Sequence, residues 1–462
     1  MRLPRTDKPI RAWSTACSVC ATLLLGVTLV QAQIVSNMGT VDLTGPSIAT
    51  SLPNDYDASL IRKWMSDLGI NYTLIYTNDV LSNLSGGNKR GTIDQGLLEG
   101  RLAIDLEQLA GWHSLTMYSN VFQIHNTGRM LGDYVGGINT IAAIEAKPTT
   151  RLSELWLEQK FLDGAANFRF GQLTADTEFF FSDLSTMFLQ SDWPTIAAVN
   201  LPSGGPAYPL STPGVRLKLN PTKDVSLLFA VFNGDPAGPG PGDEQNRDRY
   251  GLNFRISDPA FAIAESQFRK NQGKEDSGLA TTLKVGGWAH LGQFNDERYA
   301  NDGLPLGDPA SSGIPAKHFG NFGIYGVIDQ QIYRLQHGEP DSGVSIYTRA
   351  SLSPSDRNLV DAYIDGGIVV AGLIPNRPKD RFGAGFIYAR FSDSVSGFDQ
   401  DQITYTGVPG TVRDREISVE LTYVAQIISG WTVQPDLQYI SHPNGQAGRD
   451  AEVVGIRSTW NY

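Results

Sequence analysis

The residues best placed to do chemistry stand at two-residue spacing. In residues 151–162, Glu154, Trp156, Glu158 and Lys160 share one face, and Leu155, Leu157 and Phe161 share the other. Glu99 and Arg101 stand the same way in 96–107, opposite Leu98, Leu102, Ile104 and Leu106. Arg169 lies between Phe168 and Phe170, and Arg216 and Lys218 are two apart in 215–220. Rows of carboxylates and guanidiniums around one indole offer charge-assisted hydrogen bonds beside an aromatic plate. They suit weak recognition of a polar solute, or mutual pairing that keeps an interior wet and rigid. They do not make a catalytic centre. The six histidines (113, 125, 290, 318, 337 and 442) lack His-Glu-x-x-His spacing, and neither Gly-x-Ser-x-Gly nor a Gly-Lys-Ser/Thr phosphate cradle occurs. Asp243, Glu244 and Asp248 lack the ordered pattern of a calcium loop and read as a solvated loop. No metal, cofactor or enzymatic activity is expected.

Rows of this kind need a wall with one wet and one apolar face. Residues 415–462 show it best. Ile417, Val419, Leu421, Tyr423 and Ala425 alternate with Ser418, Glu420, Thr422 and Gln426. After Ser429-Gly430, Trp431, Val433, Leu437 and Tyr439 alternate with Thr432, Gln434, Asp436 and Gln438. After His442-Pro443-Asn444-Gly445, Val454, Ile456, Trp460 and Tyr462 stand opposite Gly455, Arg457, Thr459 and Asn461. Period-two alternation over about ten residues marks a strand with one apolar and one polar face. Repeated along the chain, it predicts a transmembrane antiparallel β-barrel with the charged rows facing the lumen, because a charge facing lipid at the midplane costs about 2–4 kcal/mol.

The start of the chain fits an exported protein. Arg2, Arg5, Lys8 and Arg11 precede an apolar run densest at 21–30, and Val30-Gln31-Ala32 offers a peptidase site, so residues 1–32 read as a secretory signal cleaved after Ala32. Both cysteines, Cys17 and Cys20, fall within it, which excludes disulfides and thiolate chemistry from the mature chain. Losing four of 37 basic and one of 48 acidic residues moves the formal charge from −11 to −14, a poor match to nucleic acid. No later stretch reaches 18 consecutive apolar residues, so no helix is predicted to span a bilayer.

Residues 33–69 do not alternate. Residues 55–67 read as an amphipathic helix with Leu60, Ile61, Trp64, Met65 and Leu68 at helical spacing, in a lead-in packed at the periplasmic mouth or, alternatively, in a plug. Residues 70–462 supply the barrel. Seventeen candidate strands emerge, including 249–256, yet a single-chain bacterial barrel with short periplasmic turns needs an even number. The parity breaks between 249 and 290, and sixteen is the expected count, with eighteen as the alternative. Long extracellular loops are expected at 128–150, 174–214, 234–248, 291–321 and 392–412. The second of these carries Phe179, Phe180, Phe181, Phe188 and Trp193. A loop so apolar is expected to fold inward as a constriction, with packing to the wall or capping of the mouth as alternatives.

Several stretches in order resemble the carbohydrate-selective porins of the OprB family. They include 109–112 (LAGW), 151–160 (RLSELWLEQK), 170–172 (FGQ) with Glu178-Phe179, 210–214 (LSTPG) and 231–236 (VFNGDP). Asp329-Gln330, 377–380 (RPKD) and 434–439 (QPDLQY) before His442-Pro443 continue the series. The resemblance implies a sixteen-stranded outer-membrane barrel narrowed by an infolded loop, and passive diffusion of monosaccharides and similar small polar solutes. On that reading, small sugars and outer-membrane lipid are the partners. A sugar's hydroxyls and apolar C–H face would meet the charged row and Trp156, with Glu99, Arg101, Arg169, Arg216 and Lys218 as further rungs. A lone barrel and a homotrimer both fit. A plugged or gated uptake channel is the alternative and would want a larger plug than the residues before 70. An outer-membrane hydrolase would need a nucleophile–histidine pair that the sequence lacks.

Overall fold

The computed structural model describes residues 47–48, 56–273, 275–336 and 338–462. The expected leader and its cleavage site lie outside these residues, as does His337. Sixteen antiparallel strands close into one barrel in which each strand pairs with its sequence neighbours and β1 pairs with β16. They are β1 (Ile70–Ser85), β2 (Gly91–Asp105), β3 (Leu115–Asn126), β4 (Thr149–Phe161), β5 (Ala166–Leu173), β6 (Thr212–Thr222), β7 (Val225–Asn233) and β8 (Ala260–Lys270). The second half comprises β9 (Thr281–Ala300), β10 (Pro315–Arg334), β11 (Gly343–Leu352), β12 (Val360–Ala371), β13 (Arg381–Phe391), β14 (Arg415–Ile428), β15 (Trp431–Ser441) and β16 (Ala451–Asn461).

The alternation in the sequence becomes the two faces of the wall. Leu421, Leu437 and Ile456 are exposed on the lipid side, while Glu420, Gln438 and Arg457 are buried in the interior. Closure leaves no strand edge to solvate within the bilayer, where an unpaired backbone group would find no water.

Three differences from the sequence reading have identifiable causes. Residues 249–256 are not a strand of the wall. β5 ends at Leu173 and pairs with β4 only up to Leu155, so the upper part of β4 lacks a neighbour on that side. Residues 249–256 run over this gap: Leu152 donates its backbone N–H to the Tyr250 carbonyl (3.0 Å), and Gln172 donates to the Gly251 carbonyl (2.8 Å). Tyr250, Leu252, Phe254 and Ile256 are exposed, so they alternate as a strand would while the segment fills the gap beside β4. Removing it resolves the parity and leaves sixteen. Second, much of 291–321 is not loop: β9 and β10 are 20 residues each and continue beyond the neighbouring strands. Third, β2 ends at Asp105, whose carboxylate accepts from the N–H groups of Glu107 and Gln108 and so caps the short helix α2 (Leu106–Ala110).

The helix α1 spans Tyr56–Asp67. The Arg62 guanidinium sits over the rings of Tyr72 and Tyr462, 5.4 and 5.7 Å from their centroids. Tyr72 has the outward parity of Leu74 on β1, and Tyr462 that of Trp460 on β16. The helix therefore lies against the outside of the periplasmic rim, neither in the lumen as a plug nor across the mouth.

Candidate functional site

The interior is organised by a loop that leaves the wall after Leu173 and returns at Thr212. Its backbone crosses a space where an unpaired N–H or C=O costs about 1–3 kcal/mol, and side chains of the wall supply the partners. Glu265 accepts the Phe180 N–H (2.8 Å) and Lys284 donates to the Phe181 carbonyl (2.6 Å). Asp329 accepts from Asp183 (2.9 Å), and Gln434 donates to the Met187 carbonyl (2.8 Å). Glu420 receives two N–H groups, from Leu189 (2.7 Å) and Gln190 (2.9 Å). Arg349 donates to the carbonyls of Phe180 and Asp192. Most of these polar lumen side chains thus hold a loop in place.

The aromatic residues of the loop pack it to the wall. Phe179, Phe180 and Trp193 are all buried. Phe180 stacks on Tyr325 of β10 at 4.2 Å, and the Trp193 ring meets it edge-on. Phe188 fits over Gly383 and Gly385 of β13, where a Cβ would come within 3 Å of its ring. The short helix α3 (Thr195–Asn200) carries the return limb past β12, where Asn200 donates to the Val360 carbonyl.

A second loop, 128–150, expected only as a long extracellular loop, also enters the barrel. Ile138 and Asn139 direct their N–H groups at Glu416 of β14, Gln438 donates to the Ile141 carbonyl (2.8 Å), and Ala143 donates to the Leu189 carbonyl (2.8 Å). Loop therefore rests on loop inside the lumen. Nothing in the composition of 128–150 resembles the aromatic run of the first loop, so its inward path leaves no comparable local signal.

The predicted site residues divide into groups. Glu99 and Arg101 pair on β2. Glu158, Arg169 and Arg216 join Glu178 of the loop in a buried ring of two carboxylates and two guanidiniums. Arg216 reaches Glu178 through Nε and Nη2 (2.7 and 2.8 Å) and Glu158 through Nη2 (2.7 Å), and Arg169 bonds Glu158 at 3.1 Å. Burial pushes the Glu178 carboxyl up, but Arg169 and Arg216 overcome it and hold the group at about 2. Trp156 is not an open plate. Only 2% exposed, it is flanked by Tyr118 of β3 at 4.8 Å and by the Arg169 guanidinium of β5 at 3.8 Å. Glu154 is buried on the same face of β4. Lys218 is half-buried, and Lys160 is exposed at the end of β4, away from the cluster.

Further interior residues escaped the sequence reading as candidates. Gln434 of β15, Arg457 of β16, Asp79 of β1 and Gln95 of β2 are successive register partners and form one polar row across the closure of the barrel. Arg457 binds Asp79 through Nε and Nη2 at 2.6 and 2.7 Å. Parity marked Gln434, Gln438 and Arg457 as inward, but the meeting of Arg457 with Asp79 depends on closure. Six buried carboxamides, Asn83, Gln95, Asn120, Gln190, Gln434 and Gln438, each keep an amide atom without a protein partner among the described residues. On the loop, burial and the nearby Asp176 push the Asp192 carboxyl up to about 8.

A closed barrel with an outward apolar belt and a polar lumen narrowed by inward loops is a diffusion channel of an outer membrane. The carbohydrate-selective porin family OprB matches residues 89–462, and the chain belongs to that family. Porin B of Pseudomonas aeruginosa is 24% identical over 419 residues, covering 86% of this chain and 88% of that protein. A putative porin, QuiX, of Acinetobacter baylyi is 20% identical over 422 residues, covering 87% and 91%. Among solved structures, Pseudomonas putida OprB at high pH superposes with a TM-score of 0.77 at 21% identity, covering 88% of this chain and 97% of that one. The protein is a carbohydrate-selective outer-membrane porin.

Proposed function

We propose that, after removal of the leader at Ala32, the barrel passes monosaccharides and similar small uncharged polyols by passive diffusion. The route runs past the constricting loop along the lumen face of β2, β3 and β4 nearest the periplasm. The carrying observation is a polar lumen enclosed by sixteen strands and narrowed by a loop whose backbone the wall side chains hold, in a chain that the carbohydrate-selective porin family matches over residues 89–462. Selectivity in such a pore comes from its diameter and from polar contacts weak enough to release the solute. Glu99, Arg101 and Glu154 border the same wall, whereas Glu158, Arg169 and Arg216 act by holding Glu178, and with it the root of the constricting loop. Trp156 acts in the same group, as a spacer between Tyr118 and Arg169.

Single-channel conductance in planar bilayers tests the reading, with glucose and then maltose-sized sugars titrated in. A saturable fall with glucose is expected. Conductance unaffected by glucose at any concentration would refute the proposal.

A further inference from the structure

The helix α1 carries a face that no described residue covers. Leu60, Ile61 and Trp64 are each more than half exposed, and Leu68 just beyond the helix is exposed as well. At 3.6 residues per turn these four fall within an arc of about 100°. Arg62 points the opposite way, into the barrel rim. There it donates to the Tyr72 carbonyl at 3.1 Å and to the Ser47 hydroxyl at 3.4 Å, and it caps the rings of Tyr72 and Tyr462. At the other end, Gln108 of α2 donates to the Asp67 carbonyl at 2.9 Å. The helix is thus tied through Arg62 to the outer side of the wall and through Asp67 to the periplasmic turn after β2, with its apolar arc turned away from the Arg62 contacts.

The height of this attachment decides what the arc meets. Tyr72 and Tyr462 belong to the lipid-facing side, next to Trp460, which stacks on Trp431 at 6.2 Å. Trp112, Phe161 and Leu162 are exposed around the same periplasmic rim. Together they form the aromatic girdle that barrels place at the membrane–water boundary. The apolar arc of α1 continues this belt sideways. Lys63 and Asp67, both exposed beside the arc, provide the polar border of a helix lying in an interface.

We propose that α1 is an interfacial helix seated in the inner leaflet of the outer membrane, with a phospholipid surface covering Leu60, Ile61, Trp64 and Leu68. The helix is then a membrane-surface anchor rather than part of the conduction path. This inference does not depend on which solute the pore carries.

The test uses the full chain with C17A and C20A, which removes its only two cysteines. I61C, W64C and, on the opposite side of the helix, S66C are each labelled with an environment-sensitive fluorophore. The protein is folded into phosphatidylethanolamine–phosphatidylglycerol vesicles carrying shallow doxyl-labelled lipid, with iodide on both sides of the membrane in parallel samples. Labels at 61 and 64 are expected to be quenched several-fold more by the lipid than by iodide, and the label at 66 the reverse. I61C keeps Trp64 in place, so the result does not hinge on one variant folding. Iodide quenching at 61 and 64 as strong as at 66 would put the face in water and overturn the proposal. Protection from both quenchers would also overturn it, by showing that protein, such as a second copy of the chain, covers the face.

Discussion

Neutralising Glu178 tests whether the buried ring of charge holds the constricting loop. Glu178 accepts two hydrogen bonds from Arg216 and lies 3.6 Å from Arg169, while Glu158 serves both arginines. The ring is neutral overall, and Glu178→Gln leaves it with one uncompensated guanidinium. Holding a carboxyl at about 2 instead of its ordinary value near 4.5 corresponds to about 3 kcal/mol. That agrees with the 3–5 kcal/mol typical of breaking a buried ion pair from one side. Because the folded-state value is depressed, this stabilisation is present above pH 4.5 and is lost as pH falls towards 2. E178Q should therefore lower the heating temperature at which the folded band disappears on a gel. It should also shift the reversal potential in a salt gradient towards chloride, since the lumen gains a positive charge. E178Q/R216M removes both partners and should return both quantities towards the parent values. If E178Q melts and selects ions like the parent at pH 7, the ring does not clamp the loop and the reasoning fails.

Other consequences can be checked on the same preparations. Trp156→Ala empties the space between Tyr118 and Arg169 and should cost about 3–5 kcal/mol, with a coupling to R169A of about 1–2 kcal/mol in a double-mutant cycle of melting. Unchanged melting with a weaker glucose block would make the indole a sugar plate instead. Asp192, raised to about 8 by burial and Asp176, is neutral near pH 7. A raised carboxyl opposes folding increasingly as pH climbs from its ordinary value to 8, so cation selectivity should rise between pH 7 and 9, and D192N should abolish that rise. Gly251 has φ +65°, and a Cβ there would meet the Leu152 carbonyl at 1.9 Å. Gly251→Val should therefore lift residues 249–256 off β4 and destabilise the barrel by about 1–3 kcal/mol, read by heating on a gel. A parent-like melting point would show that the strap does not close the wall.

What the sequence by itself determined is the wall. Side-chain direction in a strand has a period of two and is set by neighbouring residues alone. Glu420, Gln438 and Arg457 could therefore be assigned inward, and Leu421, Leu437 and Ile456 outward, without knowing any partner. Short turns and parity then limited the strand number, and one segment too many was visible as a contradiction. Tertiary structure alone decided which segment that was. Residues 249–256 alternate because one side of them faces lipid, and only the departure of the chain at Leu173 shows why they fill the gap beside β4 instead of joining the wall. It also decided which lumen charges stay available. Glu178 meets Arg216 38 positions away, and Arg457 meets Asp79 378 positions away across the closure. Such meetings depend on the path of the loop and the register of the closed sheet, and neither leaves a local pattern. The charged rows could thus be read as a wet interior, while their division into residues that clasp the loops and residues that do not arose only when the barrel closed around its own loops.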